Sequence, residues 1–119
     1  MNDYLYHYRC SVIDVYDGDT FRCEIQMGFG LTWKGSDGKG VVIRLHGLNA
    51  PEVKGSTREN GVSSRDWLRK QILGKTITLK TIKDSSEKYG RYLGIVLLED
   101  GTNINEQMVV EGFAEKREY

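Results

Sequence analysis

The stretch "FRCEIQM", residues 21–27, alternates strictly: Phe21, Cys23, Ile25 and Met27 are apolar, and Arg22, Glu24 and Gln26 between them are polar. A period of two buries one face of a strand and wets the other, and it is incompatible with a helix over the same residues. Just before it, "CSVIDVY" mixes β-branched and polar residues and runs into "DGDT", a strong turn signal. Two strands joined by a tight turn are thus expected over residues 10–27. A glycine-rich excursion, "KGSDGKG", separates them from a third apolar strand, "VVIRL".

Between Gly61 and Leu73 the texture changes. "GVSSRDWLRKQIL" lacks proline, places Leu68 and Ile72 on one helical face, and meets Gly74, a common residue just past a helix end. "KTITLKTI" then returns to alternation, "RYLGIVLLED" reads as a further strand ending in a turn, and "INEQMVVEG" reads as a short helix stopped at Gly112. Short strands, a helix between the third and fourth, and a closing helix predict a small α+β domain. An OB-fold, a five-stranded Greek-key β-barrel with two short helices, fits this order, although periodicity alone leaves other arrangements open.

With 119 residues the chain is long enough for one modest core, so a single domain spanning 1–119 is expected. Seventeen basic and seventeen acidic side chains give a formal net charge of zero, so any hold on a polyanion has to come from a local patch. "RENGVSSRDWLRK" offers one with Arg58, Arg65, Arg69 and Lys70, which a solvated helix face explains equally well. No apolar run reaches the roughly 20 residues that cross a bilayer. "MNDYLYHYRC" has no basic segment leading into an apolar run, so a cytoplasmic protein is expected, or a secreted one whose leader has been removed. Cys10 and Cys23 fall on neighbouring strands without facing each other obviously, and free thiols are expected.

Three clusters carry groups able to do chemistry. In "DVYDGDT", Asp14, Asp17 and Asp19 crowd a strand end. Asp-Gly is ordinary turn chemistry, but a carboxylate fixed at a strand end also offers oxygen to a hard cation such as Ca²⁺. In "RLHGLNAPE", Arg44 interrupts an apolar strand, where arginine most often points to water. Glu52 follows Pro51, whose ring rigidifies the loop and would aim a carboxylate reproducibly, as a general base requires. In "EKYGRYLG", Arg91 is either an exposed charge after a turn or a planar fork directed at phosphate. Singly these signals are weak; together, in order, they are specific.

"DGDT", "RLHGLNAPE", "KYGR" and "G-x-x-IN…G-x-A" form a series that resembles the staphylococcal nuclease, or thermonuclease-like, family from about Val12 to Ala114. The resemblance implies an OB-fold barrel and Ca²⁺-dependent cleavage of DNA and RNA, with single strands the expected preference. By motif position Asp19 resembles the carboxylate metal ligand, and the Ala50 carbonyl a backbone ligand. Arg44 and Arg91 resemble the phosphate-binding arginines, and Glu52 the general base. Asp17 resembles a neighbouring acid behind the metal ligand. Lys88 and Tyr89 resemble residues on the terminal phosphate and sugar, and Tyr119 an aromatic near the nucleotide pocket.

Asn49 stands where the family resemblance implies a second aspartate ligand. An amide oxygen still suits Ca²⁺ but brings no charge, so weaker cation binding with activity retained is expected, a changed cation preference or a disarmed site being the alternatives. Arg117 replaces another aromatic, and the chain ends where a further helix would follow, which predicts altered base stacking, a marginal edge and room for a partner. The rival to a nuclease is a non-catalytic OB module that binds nucleic acid or protein. A metal-free mechanism using His7 and His46 has little support. Trp33 and Trp67 invite base stacking, although Trp67 lies mid-helix, where packing is expected.

Overall fold

A computed structural model describes residues 6–51, 58–82 and 92–117. Within them the elements run β1 (His7–Asp17), β2 (Thr20–Gly28), β3 (Leu31–Trp33), β4 (Val41–Leu45), β5 (Leu48–Asn49), α1 (Arg58–Ile72), β6 (Thr76–Ile82), β7 (Tyr92–Leu97), α2 (Ile104–Val110) and β8 (Glu115–Lys116). The main sheet has the order β1-β6-β7-β4-β2-β3, and β1 also pairs with β2. That extra pairing closes five strands into a barrel with two helices, the expected OB-type α+β architecture. The β4–β7 pair is parallel and the other barrel pairs are antiparallel.

Alternation explains the core. Phe21, Cys23 and Ile25 of β2 point inward with Val41, Ile43 and Leu45 of β4, and Ile77 and Leu79 of β6 meet them. Met27 departs from the pattern and is exposed. The reason is length: β4 pairs with β2 only from Thr20 to Cys23, so the far end of β2 outruns the barrel and carries β3 beyond it.

The first helix starts at Arg58, ahead of Gly61, and ends at Ile72. Leu68 and Ile72 are fully buried on its inner face, as their spacing predicts, and Gly74 follows with φ +72°. Two bulges interrupt the β1–β2 register, between Val12 and Asp14 and between Val15 and Asp17. Bulges bend a strand and re-aim its residues. Here Arg69 of α1 fastens the bulged stretch by donating from Nε and Nη2 to the Val15 carbonyl at 3.1 and 3.0 Å. Arg69 therefore docks the helix on the barrel rather than joining a solvated basic face. Trp67 likewise packs, stacked on Phe113 with ring centroids 5.3 Å apart. Trp33 meets Tyr92 edge-on at 5.6 Å.

Candidate active site

The β1–β2 turn and the segment after β4 meet at one end of the barrel. Leu45 donates its backbone N–H to the Asp19 carbonyl at 2.8 Å, which joins the turn to the end of β4. The Asp19 carboxylate is almost buried and engaged at both oxygens. Its Oδ1 accepts from the Thr20 hydroxyl at 3.1 Å and its Oδ2 from the Ala50 N–H at 3.1 Å. Arg44 Nη2 lies 3.6 Å from the same Oδ2.

Gly18 makes this closeness possible. A Cβ there would stand 2.7 Å from the Cβ atoms of both Ala50 and Ser64, so the "DGDT" glycine is required by the approach of Ala50 and α1. Asp17 sits beside Asp19 and accepts its backbone N–H at 3.3 Å. Burial, then hydrogen bonding and repulsion from Asp19, push the Asp17 carboxyl up to about 6. The turn thus concentrates negative charge that its surroundings do not fully offset.

Arg44 is 8% exposed, so it is not the outward-pointing strand arginine of the ordinary case. Besides Asp19 it donates to the Leu48 carbonyl at 3.5 Å and closely to Asn49 Oδ1. Asn49 Oδ1 also accepts from Arg117 Nη1 at 3.3 Å. Arg117 reaches it because β8 pairs antiparallel with β5, Leu48 opposite Lys116 and Asn49 opposite Glu115, and because the Arg117 N–H donates to the Gly47 carbonyl at 2.8 Å. The sequence places Arg117 only as a replacement for an aromatic. The two-residue ladder that carries it is too short to leave a periodic signal.

Beside this cluster lies a groove of about 550 Å³, lined by Asn49, Ala50 and Pro51, by Asn60, Ser63 and Ser64 of α1, and by the segment from Gly112 to Glu115. Its far wall is tied down by Ser64 Oγ, which donates to the Phe113 carbonyl at 2.6 Å.

The structure therefore gathers Asp17, Asp19, Arg44, Asn49 and Ala50 of the expected site. Glu52, Lys88, Tyr89, Arg91 and Tyr119 lie outside the described residues. Asp14 is turned to its own strand, its Oδ1 accepting the Val15 N–H at 2.8 Å. His7 opens β1 opposite Lys80, whereas His46 follows β4, and those two strands are not neighbours in the barrel.

The chemistry of the donors suits a hard divalent cation. All are oxygens, and two crowded carboxylates supply charge that is only partly offset. Among the described residues, no group of three or more His, Cys, Asp or Glu side chains is placed to hold a metal ion. Among the described residues, a cation at Asp19 would have Asp17 and carbonyl or amide oxygens to draw on. No helix among the described residues is long and apolar enough to cross a membrane.

Residues 42–119 match the family described as staphylococcal nuclease homologue. A protein of Escherichia coli O157:H7 named as an uncharacterized endonuclease is 36% identical over 103 residues, covering 87% of this chain and 57% of that protein. Endonuclease YhcR of Bacillus subtilis (strain 168) is 32% identical over 114 residues, covering 87% of this chain and 8% of that protein. The protein MJ1439 of Methanocaldococcus jannaschii is 26% identical over 132 residues, covering 91% of this chain and 58% of that protein. The chain thus spans little more than half the length of the Escherichia coli and Methanocaldococcus relatives.

Proposed function

Because this chain belongs to the staphylococcal nuclease family, we propose that it is a divalent-cation-dependent nuclease, acting on phosphodiester bonds of DNA or RNA with single strands preferred. The observation that carries the reading is Asp19, an almost buried carboxylate held between the Arg44 guanidinium and the Ala50 N–H beside an open groove.

Asp19 would hold the cation, Ca²⁺ by preference, with the Ala50 carbonyl as a further donor and Asp17 behind them. The neutral Asn49 oxygen, which accepts from Arg44 and Arg117, would join only by giving up one of those bonds. Bound there, such a cation supplies positive charge against the negative charge that builds on the phosphate in the transition state. Arg44 adds a fixed guanidinium to the same task, and its burial makes that charge count for more than it would in water. Arg91, by its place in "KYGR", is the second phosphate-binding arginine. Glu52, one residue after Pro51, orients the attacking water and accepts its proton. By their places in the motif series, Lys88 and Tyr89 would hold the terminal phosphate and sugar, and Tyr119 would serve the base.

The test is cleavage of single-stranded DNA and RNA oligonucleotides with Ca²⁺, Mg²⁺ or EDTA, for wild type, Glu52→Gln and Asn49→Asp. Wild type is expected to shorten the substrate only with a divalent ion, and Glu52→Gln to lose about 10²-fold or more of that rate. Asn49→Asp is expected to need less cation. Retention of intact oligonucleotide by wild type, with no shortening under any ion, would overturn the enzyme and leave a nucleic-acid-binding OB module.

A further inference from the structure

Asn49 Oδ1 is shared. Arg44 Nη2 and Arg117 Nη1 both donate to it, the second at 3.3 Å, so two guanidiniums from different parts of the chain converge on one amide oxygen. An amide oxygen has two acceptor positions, and the two arginines fill them. It directs both groups yet brings no charge to offset theirs. A carboxylate at the same place would accept from both and offset one of their two charges.

On this geometry, and resting on the nucleic-acid reading above, we propose that Arg117 binds a phosphate of the nucleic-acid strand, forming with Arg44 a paired-guanidinium anion site that Asn49 positions. Arg117 is built for this. Its backbone is fixed by the hydrogen bond to Gly47 and by the β5–β8 ladder, while its exposed side chain reaches Asn49, which lines the groove. Arg44, by contrast, is buried and shared with Asp19. The two therefore divide the work: Arg44 sits over the cluster of acids, and Arg117 faces the strand beyond it. Asn49 is then more than a weakened cation ligand. Exchanging the family carboxylate for an amide gives up charge toward a cation and gains charge toward the polyanion, which a chain with no net charge has to collect locally.

The experiment is binding of a short fluorescein-labelled oligothymidylate in EDTA, where cleavage cannot confuse the reading, across a range of salt concentrations. Each phosphate contact to a single strand contributes about 0.7 to the slope of log affinity against log salt. Arg117→Ala should bind about tenfold more weakly, in line with one lost charge-assisted contact, and should lower that slope by about 0.7. Arg117→Lys keeps the charge and should keep the slope. Asn49→Asp should weaken binding in EDTA to a similar degree while its melting temperature stays at or above that of wild type.

A merely structural Arg117 would give the opposite pattern, a lowered melting temperature in Arg117→Ala with an unchanged salt slope, and that result overturns the proposal. So does wild-type protein that fails to bind the oligonucleotide in EDTA at low salt. The enzyme reading is scored separately, by cleavage with Ca²⁺. Cleavage with an unaltered Arg117→Ala slope removes this inference alone. A reduced slope without any cleavage supports the anion site and removes the nuclease.

Discussion

Asp17 and Asp19 illustrate how one turn residue can be bad for the fold and good for the site. Asp17 is held among buried neighbours beside a second carboxylate, and its carboxyl is pushed up from an ordinary 3.8 to about 6. The sign follows directly. A carboxyl raised in the folded state binds its proton more tightly there than in the unfolded chain. The stability it lends is therefore full below about pH 4 and is lost as pH rises through 6. Above that range the ionised group costs the metal-free protein on the order of 2 kcal/mol, once screening by the water that reaches it is allowed for. A neutral amide mimics the protonated acid, so Asp17→Asn is expected to raise the melting temperature in EDTA at pH 8, with most of the gain gone by pH 4. The same change should weaken binding of the proposed cation severalfold, since the crowding of charge that strains the fold is what would attract it. Thermal melts at the two pH values with a Ca²⁺ titration check both halves, and equal gains at the two pH values would defeat the argument. The sequence displays this crowding, because Asp17 and Asp19 flank one glycine in "DGDT". What it hides is that Gly18 is wedged against Ala50 and Ser64, far along the chain, which turns a commonplace hairpin signal into a packed corner.

Among the elements, α2 supports the site from behind. Asn105, on its first turn, is buried and joins two stretches of backbone, β7 and the segment after β4, through three hydrogen bonds. Its Oδ1 accepts the Val96 N–H at 3.0 Å, and its Nδ2 donates to the carbonyls of His46 at 2.9 Å and Gly94 at 3.0 Å. Those bonds fix the segment that leads from β4 to Asn49. Asn105→Asp keeps the shape but turns the two-bond donor into an acceptor facing two carbonyl oxygens. It is expected to destabilise by about 3 kcal/mol or more, read as a lower urea midpoint with an unchanged m-value. Oligonucleotide affinity should fall with it, because Asn49 and its arginines lose their support. An unchanged midpoint would mean that α2 merely covers the barrel. The residues "IN" are visible in the sequence as part of the motif series, and Asn103 caps the helix by accepting the Glu106 N–H at 3.1 Å. That a buried asparagine holds the neighbouring strands is a tertiary fact with no local signature. The same limit applies to the strands. The longer ones announce themselves by alternation, whereas β3, β5 and β8 have three, two and two residues, too few to establish a repeating pattern. In β1 the bulges shift the phase midway, so alternation is locally broken where the structure most needs the strand to turn.

At the scale of the whole molecule, β1 is the closure. It pairs with β2 on one side and β6 on the other, and Cys10 sits at the crossing, opposite Ile25 and Ile77. Cys23 lies one strand away, opposite Val12 and Val41, and both thiols are free and fully buried. A hydrogen bond with Cys10, burial and the neighbouring charge of Glu24 push the Cys23 thiol far above its usual range. Since the thiolate is the reactive form, neither burial nor acidity favours attack by a reagent on the folded protein. A closed barrel has no edge at β1 from which to fray, so exposing these thiols requires opening the ring of strands. Labelling by an excess of a disulfide reagent is therefore expected to depend on urea with the m-value of global unfolding, the two cysteines reacting together. A much shallower dependence, with Cys10 labelled ahead of Cys23, would mean that β1 detaches while the rest stays folded. In that case Asp17 and Asp19 would move with it, because the turn that carries them begins at the end of β1. Rigidity of the site and closure of the barrel are thus one property, measured by one reaction.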